Sequence, residues 1–138
     1  MNKHVKKAME IRNEVPMMCN CAQTILMVYA KELGLTDDMA AKLSINFGGG
    51  MKCGATCGVI TGGLIVLGAL GIDDPYTVNL LRKEIAEKHD SMTNCTDLLR
   101  ANATKGGNKK QHCDNMIYEA IEIIDKIIDQ NKNESFEE

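Results

Sequence analysis

The sequence predicts an all-α fold: a compact helical bundle of about five to six helices around a glycine-rich, buried central helix. Three observations carry that expectation. Apolar residues recur at helical spacing, most clearly Met116, Ile117, Ala120, Ile121, Ile124, Ile127 and Ile128. Capping residues stand ahead of the apolar runs, at Asn20, Thr36, Asp74-Pro75 and Asn94. No two-residue hairpin turn and no alternating strand pattern interrupts them.

Taken in order, residues 3–13 read as a short helix with Val5, Met9 and Ile11 on a weak apolar stripe, ended or redirected by Pro16. Asn20 caps a helix running to about Leu33, which buries Ile25, Leu26, Val28, Tyr29 and Leu33 and stops at Gly34. Thr36 caps the next, with Asp37 and Asp38 in its first turn and Met39, Leu43 and Ile45 as its apolar residues. It ends at Phe47-Gly48-Gly49-Gly50, where the backbone must turn tightly or approach something closely. Pro75 suits the first position of a helix reaching about His89, and Asn94 recaps a short one over residues 95–101. Residues 104–111, with Gly106-Gly107, read as an exposed loop. A last amphipathic helix covers residues 114–129. The chain is thus one domain over residues 1–130, with an acidic flexible tail at 131–138.

Residues 53–72 carry no charge over 20 positions, long enough to cross a bilayer. The spacings Gly54-xxx-Gly58 and Gly58-xxx-Gly62 would also suit helix contacts there. Yet six of the 20 residues are glycine, each costing about 1 kcal/mol in a helix interior relative to Ala. The strongly apolar part, residues 64–70, is too short to span. The expectation is a helix buried inside a bundle, its glycines admitting neighbouring helices, with no membrane insertion.

The net charge is −3, with no Trp, two Phe and three Tyr, so neither the basic face nor the stacking aromatics of a nucleic-acid binder is present. The clusters Lys3-Lys6-Lys7 and Lys105-Lys109-Lys110 read as solvated surface. Residues 1–14 are charged throughout and lack the apolar core of a signal peptide, which points to the cytoplasm, where thiols stay reduced. There, an even cysteine count reads first as metal or redox chemistry. The FGGG turn is not followed by the Lys-Ser/Thr of a phosphate loop, and no Ser-His-Asp or paired-carboxylate arrangement is evident.

The six cysteines are Cys19, Cys21, Cys53, Cys57, Cys95 and Cys113. Most stand beside Asn, Gly or Thr at predicted helix starts, where free N–H groups and the helix dipole lower a thiol's pKa. Thiolates bind metals and attack disulfides. If residues 53 and 57 are both helical, Cys53 and Cys57 share a face. Cys19 reads as an incidental small residue. His112 reads as a surface histidine beside Cys113, and His4 and His89 carry no signal.

The run Phe47-Gly48-Gly49-Gly50-Met51-Lys52-Cys53-Gly54-Ala55-Thr56-Cys57-Gly58-Val59-Ile60-Thr61-Gly62-Gly63-Leu64 resembles the family of small redox-active proteins named for its cysteine pattern, C_GCAxxG_C_C. The likeness extends from about Cys19 to Ile124. It takes in the early pair Cys21-Ala22, then Cys95 in Asn-Cys-Thr-Asp-Leu-Leu, then Cys113 before Met116-Ile117. Residues 53–58 fit CGAxxG literally. Residues 57–62 fit it with Val59 in place of Ala and bring Gly63-Leu64 and Leu67-Gly68 into the family's apolar helix, so Cys57 is taken as the motif cysteine and Cys53 as an auxiliary. The family is also similar to a domain of split-Soret cytochromes, for which an iron–sulfur site has been proposed. There is no Cys-x-x-Cys-His here, hence no expectation of covalent haem.

The resemblance implies a redox role resting on Cys21, Cys57, Cys95 and Cys113, with an iron–sulfur cluster as the expected cofactor and metal group, for electron transfer or sensing. No catalytic residue is assigned. Two alternatives stay open: a cofactor-free thiol–disulfide oxidoreductase or redox sensor, and a structural protein holding zinc. The absence of Cys-x-x-Cys knuckles speaks against zinc. An electron donor or acceptor is the expected partner, its identity unassigned, and self-association is open.

Overall fold

The computed structural model describes the backbone of residues 2–137 and the side chains of residues 2–132. Seven α-helices build it, rather than five to six: α1 (Lys3–Arg12), α2 (Cys21–Leu33), α3 (Asp37–Ser44), α4 (Gly58–Ala69), α5 (Pro75–Lys88), α6 (Cys95–Thr104) and α7 (Lys109–Glu137). No strand occurs among the described residues. The tail expected at 131–138 falls on residues whose side chains lie outside the described ones, apart from residues 131 and 132.

Local chemistry sets the helix ends. Asn20 and Gln23 form a reciprocal capping box at the start of α2, and Gly34 closes that helix in a left-handed conformation, φ 71°. The Thr36 side chain accepts from Met39 N–H, and the Asp74 side chain from Thr77 N–H with Pro75 next in line. Asn108 Oδ1 accepts from Gln111 N–H at 3.0 Å, which starts α7 at Lys109, earlier than the expected 114. The expected loop over 104–111 therefore shrinks to the few residues around Gly106, whose φ is +77°.

Helix α4 is the axis of the bundle, packed by α2, α5 and α7. A Cβ on Gly62 would lie 3.3 Å from Ala22 O and 3.4 Å from Ala22 Cα, so here α2 passes almost backbone to backbone. On another face, a Cβ on Gly63 would meet Leu81 Cδ2 at 2.5 Å and Ile124 Cδ1 at 3.0 Å. The glycines that weaken α4 as an isolated helix are thus the ones that seat its neighbours. The core around it holds Ile25, Leu26, Tyr29, Ile60, Leu67, Leu81, Ile85, Ile117, Ile121 and Ile124. No helix among the described residues is long and apolar enough to cross a membrane.

Three expectations are corrected. The uncharged stretch 53–72 is not one helix: α4 begins only at Gly58. Gly49, Gly50, Met51 and Lys52 take left-handed conformations in succession, with φ of 64°, 65°, 57° and 60°, and Ala55 N–H closes the turn on Gly50 O at 2.9 Å. Such a turn cannot feed a right-handed helix directly. On α3, the residues facing inward are Ala40 and Ser44, while Met39, Leu43 and Ile45 are exposed. Small side chains let α3 lie close to α2, and Ser44 Oγ returns its proton to Ala40 O at 2.7 Å. The buried side of α1 includes Arg12 beside Val5, Ala8 and Ile11.

A thiol cavity where helix starts meet

Cys21 is the first residue of α2, Cys95 the first of α6, Cys57 the residue capping α4, and Cys113 lies in the second turn of α7. These four line one cavity with Leu98, Leu99, His112 and Met116. The cavity is small.

Backbone pairing joins the segments that carry Cys57 and Cys95. Cys57 N–H donates to Thr93 O at 2.8 Å and Cys95 N–H to Ala55 O at 2.7 Å, an antiparallel bridge across Thr56 and Asn94. It brings the starts of α4 and α6 together, although no helix packing would fix their register. Asn94, expected as a side-chain cap, uses its backbone instead and makes no side-chain capping bond. Gly58 completes the approach of Cys21, since a Cβ there would stand 2.6 Å from Cys21 Sγ.

The thiols of Cys21 and Cys57 are within hydrogen-bonding reach of one another. Donation from Cys57 is the main influence on Cys21 and pushes its pKa down to about 6, against burial and with help from the Gly49 and Ala22 amides and the Arg12 charge. Cys57, 7 % exposed, is pushed the other way by the same bond, by burial and by the Cys21 charge. The two thiols titrate as a coupled pair, Cys21 pushed down and Cys57 up. Burial raises Cys95 and Cys113, and the Cys21 charge raises both further.

A buried ion pair flanks the cavity. Arg12, 2 % exposed, donates from Nε to Asp114 Oδ1 at 2.6 Å and from Nη1 to Cys19 O at 2.8 Å. Lys110 Nζ takes the other carboxylate oxygen at 2.8 Å. The guanidinium therefore ties α1 to the segment before Cys21 and to the residue after Cys113, and its charge favours the thiolate form of both cysteines. Sequence reasoning missed Arg12 and Asp114. They lie 102 residues apart, and an Arg on a short charged helix resembles any surface Arg.

The remaining candidates fall out differently. Cys53 is exposed and outside the cavity, with its sulfur turned to Gly50 O at 3.5 Å. The left-handed turn removes it from the helix of Cys57, so the shared face expected of an auxiliary thiol does not exist. Cys19 packs its sulfur against Met27 Sδ at 3.4 Å, also outside the cavity. His112, expected at the surface, is half-buried in the cavity wall, and burial lowers its pKa.

Thiolates are the right donors for an iron–sulfur cluster. Among the described residues no group of three or more His, Cys, Asp or Glu is placed to hold a metal ion.

No curated protein and no solved structure matches the chain. A family model described as "Putative redox-active protein (C_GCAxxG_C_C)" matches residues 19–127, which takes in Cys21, Cys57, Cys95, Cys113 and the whole of α2 to α6. With its motif cysteines drawn to one cavity, the chain belongs to the C_GCAxxG_C_C family of redox-active proteins.

Proposed function

We propose that the protein is a dithiol–disulfide redox protein in which Cys21 and Cys57 are the exchanging pair. The observation that carries this reading is the placement of Cys21 and Cys57 on one cavity; with the Cys21 pKa pushed down to about 6, a proton shared between the two thiols follows. A thiolate at neutral pH beside a protonated, buried partner is the division of labour that exchange chemistry requires.

The Cys21 thiolate attacks one sulfur of a partner disulfide. That S–S bond breaks, and the departing partner sulfur takes a proton from water. Cys57 then loses its proton and attacks Cys21 Sγ in the mixed disulfide, which releases the second partner thiol. The protein ends with a Cys21–Cys57 disulfide and two electrons fewer, and the partner ends as a dithiol with two more. The reverse sequence reoxidises a partner dithiol. Burial of Cys57 keeps it from outside disulfides, which suits a resolving thiol. The start of α2 and the Gly49 and Ala22 amides stabilise the attacking sulfur.

The test is equilibration of the reduced protein with glutathione redox buffers, followed by mapping of disulfides by mass spectrometry. Reversible formation of a Cys21–Cys57 bond supports the reading; thiols that oxidise only irreversibly or only between chains reject it.

A second reading, the iron–sulfur cluster, is supported by the meeting of Cys21, Cys57, Cys95 and Cys113 at one cavity. Anaerobic reconstitution with iron and sulfide tests it by visible absorption, and a colourless product with free thiols rejects it.

A further inference from the structure

The cavity has a composition that dithiol exchange does not require. Its wall carries five sulfurs, those of Cys21, Cys57, Cys95, Cys113 and Met116, with one imidazole, two leucines and no carboxylate. Hard cations such as magnesium and calcium take oxygen donors, and none is offered here by a side chain. Thiolate and thioether donors select soft ions instead. Zinc and iron–sulfur groups, which are also thiophilic, ask for four ligands, and no group of three candidate ligands is placed to hold a metal ion among the described residues. What the geometry supplies is Cys21 and Cys57 on the wall of one small cavity, with no group of three ligands placed for a metal among the described residues.

We infer that the cavity binds one cuprous ion, coordinated by the sulfurs of Cys21 and Cys57. Copper in this state accepts two-coordinate sulfur sites, and Leu98, Leu99 and Met116 make much of the remaining wall apolar. Loading exchanges the Cys57 proton for the ion and changes no oxidation state. The inference uses the same two thiols as the exchange reaction but does not rest on their redox cycling.

The experiment is anaerobic titration of the full chain with Cu(I) against bathocuproine disulfonate, with copper X-ray absorption of the loaded protein. The expected results are one tightly held Cu(I) per chain and a spectrum of two sulfur neighbours. Cys21→Ser and Cys57→Ser should each weaken retention by about a hundredfold or more, a difference of roughly 2.7 kcal/mol, while Cys53→Ser leaves it unchanged. Three or four sulfur neighbours, equal retention of Zn(II), or undiminished binding by a Cys21→Ser/Cys57→Ser double variant would each overturn the inference. If the serine variants fail to fold, the absorption spectrum of the unaltered protein decides alone. Copper binding without reversible disulfide cycling sinks the exchange reading only, and cycling without copper binding sinks this one only.

Discussion

A methyl carbon on Gly58 would stand 2.6 Å from Cys21 Sγ and 3.0 Å from Phe47 O: the first residue of α4 lacks a side chain because a sulfur occupies its place. Stability and thiol chemistry therefore meet at one position. Gly58→Ala should lower stability by about 1–3 kcal/mol through overpacking, despite Ala's better helix propensity. It should also push Cys21 and Cys57 apart and slow alkylation of Cys21 at neutral pH. Urea denaturation and timed iodoacetamide labelling check the two effects; a stabilised variant with unchanged labelling would show that the contact is slack.

Thiolate formation sets a pH profile. With the Cys21 pKa pushed down to about 6, its alkylation rate should rise through that pH and level off above it, because a depressed pKa leaves the reactive form populated at higher pH. Cys57→Ala removes the largest cause of the depression, so the midpoint should move upward. Site-resolved labelling across pH measures both midpoints, and a Cys21 midpoint unmoved by Cys57→Ala would count against the shared proton.

Asp114 answers a buried guanidinium at 2.6 Å. Asp114→Ala leaves Arg12 without that partner and should cost about 3–5 kcal/mol. Replacing both residues, Arg12→Met with Asp114→Ala, should recover a large part of the loss, since the penalty lies in the orphaned charge. Thermal melts of the single and double variants check this. Additive losses in the double variant would place the cost elsewhere.

The starts of α2, α3 and α5 were legible because their chemistry is local. The box of Asn20 with Gln23, the Thr36 and Asp74 caps and the left-handed Gly34 each involve residues a few positions apart. The order of the cysteines was legible too, and the four expected to converge line one cavity. What escaped the sequence was long-range or conformational. Met51 and Lys52 carry no sign of positive φ, yet they turn Cys53 away from Cys57. Leu43 resembles a core residue but is 51 % exposed, because α2 is approached by the smaller Ala40 and Ser44. The Arg12–Asp114 pair joins the two ends of the chain, and no periodicity reports such a contact.

The passage of α2 over Gly62 makes a packing prediction. With Ala22 O and Ile25 Cβ both 3.3 Å from the place of a Cβ, Gly62→Leu should force the two helices apart and cost about 1–3 kcal/mol or more. Gly68, which has nothing within 4 Å of its Cβ position, is the matched control: Gly68→Ala should be neutral or stabilising by about 1 kcal/mol. Equal losses at both positions would deny α4 its role as the closely packed axis.

The central claim is that Cys21 and Cys57 act as one redox pair, and a glutathione redox titration with mass-spectrometric mapping of every cysteine measures it most directly. The account predicts a single reversible two-electron transition whose oxidised form carries an intramolecular Cys21–Cys57 disulfide, with Cys19 and Cys53 outside it. A transition that survives Cys57→Ser, or a reversible bond that excludes Cys21, would contradict it.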